Sequence, residues 1–202
     1  MDQPMSALAA IAQRRSIRRF QDRPISRELL EEMLAHTVLA PSAKNAQPWR
    51  MVVLEGERAA ELARMMQTRA DEMAEAGADS GSLAWTAQVV AQAPVTVVFY
   101  NAAPPPEVPA RFHESYHWVM VQSTGAAIQN MCLAAEALGL GSLWICDILY
   151  VHDQVGPWLG HAEDDLVAAV SLGYAAESPG PRPRRPWQEV TEWHKHPAAS
   201  RE

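Results

Sequence analysis

Between Arg111 and Leu138 the sequence sustains a helical pattern that is apolar nearly all round after Thr124 and is stopped by Gly139. A helix without a polar face has no side to turn to water, so this segment is expected at the centre of the molecule, buried by the other elements. Met5 to Gln13 has the pattern of a short helix. Ser26 is placed to cap a second, whose Leu29, Leu30, Met33, Leu34 and Val38 recur at helical spacing. Trp49 to Leu54, Pro94 to Tyr100, Leu143 to Cys146 and Leu166 to Tyr174 have the composition of strands, and Glu57 to Ala76 that of a helix with a charged outer face. Ala40 to Pro48 and Pro104 to Pro109 read as loops.

Neither repeats nor a shift of composition divide the 202 residues, so a single domain over 1–202 is expected. Residues 178–202, rich in Pro and Arg, read as an extended tail that meets another subunit or a ligand. With 48% apolar and 20% charged residues and a net charge of −7, the chain has the composition of an ordinary soluble globular protein. The acidic balance argues against a nucleic-acid partner. Two cysteines, Cys132 and Cys146, make no disulfide framework and fit a reducing cytoplasm. No basic leader with an apolar run precedes the helices, so Met1 is expected to start the mature chain. The most apolar stretch, 131–151, is broken by Glu136, Asp147 and two glycines, which a bilayer core would penalise, so no membrane partner is expected.

The basic residues are unevenly placed. Six arginines fall from Arg14 to Arg27 and three more from Arg182 to Arg185, whereas Arg111 is the only Lys or Arg between Asp71 and Pro181. Fifteen of the seventeen basic residues are Arg, whose planar fork of donors suits bidentate contacts with phosphate or carboxylate. The clustering implies that chain start and chain end converge on one dianionic group, a phosphate on a small molecule. Arg14, Arg15 and Ser16 at a helix end would make one wall of that pocket.

Other motifs compete with this reading. His113-Glu114-Ser115-Tyr116-His117 satisfies H-E-x-x-H, the zinc-peptidase pattern, but a catalytic zinc needs a third protein ligand, for which only the distant His152, His161, His194 and His196 offer themselves. Gly139-Leu140-Gly141 follows a helix rather than a strand and lacks the third glycine of a dinucleotide fingerprint; these glycines end the long helix and admit close packing of the next strand. Ser6, Ser16 and Ser42 have no nucleophile-elbow context. Cys146 reads as a small core residue, with no neighbouring cation to activate it.

Several segments, in order, resemble the FMN-dependent nitroreductase family. Arg14-Arg15-Ser16-Ile17-Arg18 with Phe20, and Ala40-Pro41-Ser42-Ala43-Lys44-Asn45-Ala46-Gln47-Pro48-Trp49, resemble its two N-terminal signatures. Gly125 to Asn130, Leu133 to Gly139 and Pro181 to Pro186 resemble its central helix and closing segment. The likeness runs from about Leu8 to Glu192.

The resemblance implies an α+β fold, a central mixed, mostly antiparallel sheet flanked by helices, in an intertwined homodimer with two FMN sites at the interface. Arg14, Arg15 and Ser16 would bind the phosphate and ribityl end, with Arg182 and Arg184 closing on the same phosphate. Pro41, Ser42, Ala43 and Asn45 would reach the flavin from the partner chain. Arg18 would stand at the pyrimidine N1 and O2, a catalytic position where a fixed cation favours added negative charge on the ring. Trp144, Ile145 and Cys146 would lie along the isoalloxazine, with a backbone N–H of Cys146 or Asp147 at N5. Relatives often have glycine or glutamate around Cys146-Asp147, and an acidic residue where this chain has Ser123. The implied activity is ping-pong hydride transfer from NAD(P)H through FMN to a nitroaromatic, quinone or similar electron-poor small-molecule acceptor. His113, Tyr116 and His117 are candidates for the acceptor pocket. A flavin-binding sensor or storage module and an H-E-x-x-H zinc peptidase are the competing classes.

Overall fold

The computed structural model describes residues 5–105 and 107–194. Met1, Pro106 of the proline-rich loop, and residues 195–202 of the tail, His196 among them, lie outside the described residues. Four strands, β1 (Trp49–Glu55), β2 (Val95–Asn101), β3 (Gly141–Ile145) and β4 (Asp165–Gly173), form one sheet in the order β1-β2-β4-β3 with every pairing antiparallel. Among the described residues the one parallel contact is an isolated bridge from Ser16 to Ser142. Around the sheet lie α1 (Ala7–Gln13), α2 (Arg27–Thr37), α3 (Gly56–Glu75), α4 (Leu83–Gln92), α5 (His113–Ala137) and α6 (His152–Leu159). Ser6 and Ser26 cap α1 and α2, each hydroxyl accepting from the backbone N–H three residues on.

The alternation of β2 divides the core between two faces. Val95, Val97 and Phe99 pack with Ile128 and Met131 of α5 and Leu30 and Met33 of α2. Val98 and Tyr100, one residue out of phase, pack with Leu62 and Met66 of α3 and Leu83 and Val90 of α4. All seven β2 side chains are buried, which is why its centre, Val97 to Tyr100, reads as an apolar run. Each of these large side chains contributes roughly 1.5–3 kcal/mol by leaving water.

Tyr100 is fully buried, its hydroxyl donating to the Val155 carbonyl at 3.3 Å and its ring stacked on His161. Burial, and then the charge of Asp164, push its pKa up to about 12. The folded state therefore holds the phenolic proton more tightly than the unfolded chain does, whose tyrosines titrate near pH 10. The stability this confers is fully present below pH 10 and is lost as pH rises toward 12. Urea melts across that range should show an alkaline loss that Tyr100→Phe removes.

Two expectations need correction. The long helix is not buried all round: Met120, Ala127, Ile128, Met131, Cys132 and Ala135 are buried, but Leu133, Ala134 and Leu138 are only partly covered. With Met5, Ala7 and Leu39 they line an apolar groove of about 430 Å³ between α1, α2 and α5. The pattern records a second apolar face that the described residues do not cover. Cys146 is exposed rather than a core residue, because β3 ends at Ile145 and the chain turns there into helical backbone. Among the described residues no helix is long and apolar enough to cross a membrane.

Candidate functional site

Arg14 is the C-cap of α1, and the chain leaves the helix there to run alongside β3. The Ile17 N–H donates to the Ser142 carbonyl at 2.9 Å, and beyond it Phe20 bridges Ala175. Gly141 makes this approach possible: a Cβ there would lie 2.8 Å from the Ile17 side chain. Gly139, at φ +77, ends α5 in a left-handed conformation that a side chain would strain. Gly141→Ala is therefore expected to cost about 1–3 kcal/mol through overpacking against Ile17, read as a lower urea midpoint. It should also loosen the segment carrying Arg14 to Arg18.

That segment forms one wall of a cavity of about 430 Å³ whose opposite wall is Pro179 to Arg184. Arg14, Arg15, Ser16, Arg18, Arg182 and Arg184 all line it, so the structure brings together the two arginine clusters. They do not play equal parts. Arg15 turns one terminal nitrogen back onto the carbonyls of Ala12, Gln13 and Arg14, each at 2.9 Å, and so closes the end of α1. Arg184 donates to the carbonyls of Arg182 and Pro183 at 3.3 and 3.2 Å, bracing the tail. Arg14 and Arg182 make no side-chain hydrogen bond among the described residues. Arg18 donates from Nη1 to the Ser16 carbonyl at 3.0 Å, while its Nε is buried without a partner. An unpaired buried guanidinium N–H is costly unless a further acceptor meets it. The Glu177 carboxylate accepts the Arg18 backbone N–H at 2.6 Å and fixes this turn to the start of the tail.

The other expected site residues lie apart from this cavity within the chain. In the loop after α2, Lys44, Asn45 and Gln47 all have positive φ, at 52°, 56° and 47°. Such a run of non-glycine residues in the left-handed region stores strain, which tends to collect at functional sites. The Ser42 hydroxyl accepts the Gln47 N–H at 3.0 Å, and the Ala43 N–H donates to Ser123 Oγ at 3.3 Å. Ser123 thus ties this loop, Pro41 to Asn45 included, to α5. Trp144 is partly exposed, its ring over Gly125, and Ile145 is buried beneath. Partial shielding from water and the neighbouring Asp147 charge push the Cys146 thiol up, keeping it protonated.

His113, Tyr116 and His117 stand at the start of α5, and none of them lines the arginine cavity. The His113 ring pairs with the Val108 carbonyl at 2.9 Å, and His117 Nδ1 with Asp165 at 2.9 Å. The two histidines of H-E-x-x-H thus hold different partners, and among the described residues no three His, Cys, Asp or Glu side chains gather as a metal site. His117 instead lines a cavity of about 470 Å³ with Tyr100, His152 and His161. Sequence reasoning missed Glu177, although its place directly before the Pro-Arg tail was a signal. It also missed Trp85 of α4, which carried none.

A model of the nitroreductase family matches residues 11–174. A protein of Methanothermobacter thermautotrophicus, provisionally named NADH dehydrogenase/NAD(P)H nitroreductase, is 31% identical over 182 residues, covering 88% of this chain and 82% of its own. A solved structure of a provisional nitroreductase from Desulfovibrio desulfuricans, in complex with FMN, is 28% identical with a TM-score of 0.70, covering 98% of this chain and 100% of that one. Nitroreductase A from Vibrio parahaemolyticus is 26% identical with a TM-score of 0.77, covering 97% and 79%.

Proposed function

The chain belongs to the nitroreductase family, and on that premise we propose that it is an FMN-dependent oxidoreductase that draws electrons from NAD(P)H and passes them to a nitroaromatic, quinone or similar electron-poor acceptor. The observation that carries this reading is the meeting of Arg14, Arg15 and Arg18 with Arg182 and Arg184 around one cavity. Five guanidinium groups in so small a space repel one another, and a phosphate dianion relieves that repulsion. The residues fit FMN: Arg14 and Arg182 have no side-chain partner among the described residues, and the buried Nε of Arg18 lacks an acceptor.

In this reading Arg14, Ser16 and Arg182 hold the phosphate and ribityl end, while Arg15 and Arg184 keep the two walls in place. Arg18 sets a positive charge at the pyrimidine edge of the isoalloxazine, and Trp144, Ile145 and Cys146 border the ring. FMN supplies hydride and electron transfer when bound, in alternate half-reactions with donor and acceptor; the chain supplies position, charge and exclusion of water.

We further propose an intertwined homodimer, in which the partner's copies of Pro41, Ser42, Ala43 and Asn45 complete each flavin site. Support comes from the uncovered apolar face of α5 and from Leu8, Ile11 and Leu39, exposed to 79%, 58% and 73%. Trp187, Val190 and Trp193 of the tail are exposed too, an apolar strip left uncovered by the described residues. His113, Tyr116 and His117 remain the proposed border of the acceptor pocket, reached in the dimer. The free thiols of Cys132 and Cys146 fit a cytoplasmic setting. Stopped-flow mixing of FMN-loaded protein with NADH or NADPH tests the reading: bleaching of the flavin band, restored by a quinone, is the expected result. A flavin that binds but is never reduced would make the chain a carrier or sensor instead.

A further inference from the structure

α4 meets the arginine cavity through one of its lining residues, Arg18, which lies over Trp85 of the helix. The Trp85 ring centroid lies 5.2 Å from Cζ of Arg18, and the ring is half exposed. Besides this face, among the described residues the guanidinium makes one hydrogen bond, to the Ser16 carbonyl. On either side of Trp85, the Ser82 and Thr86 hydroxyls both donate to Asp147 Oδ2, at 2.6 and 2.5 Å. These are short, charge-assisted bonds across more than sixty residues of sequence. Leu83, Ala87 and Val90 already fasten α4 to the core. The carboxylate therefore ties the first turn of α4 to the exit of β3.

The geometry points to Asp147 as a positioning residue for the flavin site: by gathering Ser82 and Thr86 it seats Trp85 over Arg18, and so holds the Arg18 charge where the isoalloxazine needs it. This rests on the functional reading above, in which Arg18 stands at the pyrimidine edge. A cation held there favours electrons on the ring and raises the midpoint potential of the bound flavin. The Asp147 charge, acting on the ring directly, works the other way, because a nearby anion disfavours added electrons. Positioning and direct charge therefore have opposite signs in one measurement.

The experiment measures the midpoint potential of bound FMN by spectroelectrochemistry, and the FMN dissociation constant by flavin fluorescence, in the wild type, Arg18→Ala, Asp147→Ala, Ser82→Ala/Thr86→Ala and Arg18→Ala/Asp147→Ala. The positioning role predicts a negative shift in Asp147→Ala and in the double hydroxyl variant, each smaller than in Arg18→Ala. It also predicts no further negative shift when Asp147→Ala is added to Arg18→Ala. A positive shift in Asp147→Ala, or an equal shift with and without Arg18, overturns it. Should Asp147→Ala not fold, the hydroxyl variant decides alone, since it keeps the charge and loses only the tie; an unchanged potential there overturns the proposal. A wild-type protein that takes up no FMN overturns the functional reading and this inference with it, so the two failures are told apart.

Discussion

Replacing Arg182 and Arg184 together with alanine is expected to weaken FMN binding by roughly a hundredfold to a thousandfold, while riboflavin, which lacks the phosphate, keeps its affinity within about threefold. The magnitude follows from the ordinary worth of hydrogen bonds to charged groups, about 1.5–3 kcal/mol each, taken at the lower end because both residues are exposed. Most of the loss comes from Arg182, which has no side-chain hydrogen bond among the described residues. Arg184 contributes through the bonds by which it braces the Arg182 and Pro183 carbonyls. Fluorescence titration of both flavins against wild type and variant reads the result. Equal losses for FMN and riboflavin would show that the tail acts as structure alone. The salt dependence should fall in parallel, because fewer fixed cations then meet the phosphate.

The second large effect concerns the uncovered apolar face. Leu39→Glu places a carboxylate in the largely apolar groove between α1, α2 and α5, which Glu32 already lines. Burying an unpaired charge costs several kcal/mol, so the dimer should dissociate at concentrations where the wild type stays paired. Leu39 is exposed in the single chain, so the fold itself should melt within about 0.5 kcal/mol of wild type. FMN affinity should fall with dimerisation, because the loop carrying Ser42 and Asn45 would no longer reach the neighbouring site. Light scattering and flavin titration of the same samples test both halves. A monomeric wild type, or a monomeric variant with full FMN affinity, would contradict the shared site.

The convergence of the arginines was legible because it was written as an asymmetry of charge: a protein that merely needed solubility would not leave residues 71–181 with a single arginine. The strands were legible for a related reason, since β2 and β4 carry runs that only a buried sheet explains. α4 and α6 were not. The apolar side of α4 is short and interrupted by Trp85, Gln88 and Gln92, and α6 contains Gly156 and Pro157, which local propensity counts against a helix. Cys146 was misplaced because nothing local marks the end of β3; the strand stops where its partner β4 pairs no further than Ala169. The partners of Asp147 lie 61 and 65 residues earlier, so the tie that links α4 to the β3 exit has no local signature at all.

Titrating the wild-type apoprotein with FMN and with riboflavin side by side asks the most direct question, whether the paired arginine walls recognise a phosphate. One FMN per chain is expected, bound at least about a hundredfold more tightly than riboflavin. Equal affinity for the two flavins, or no uptake of either, would contradict it.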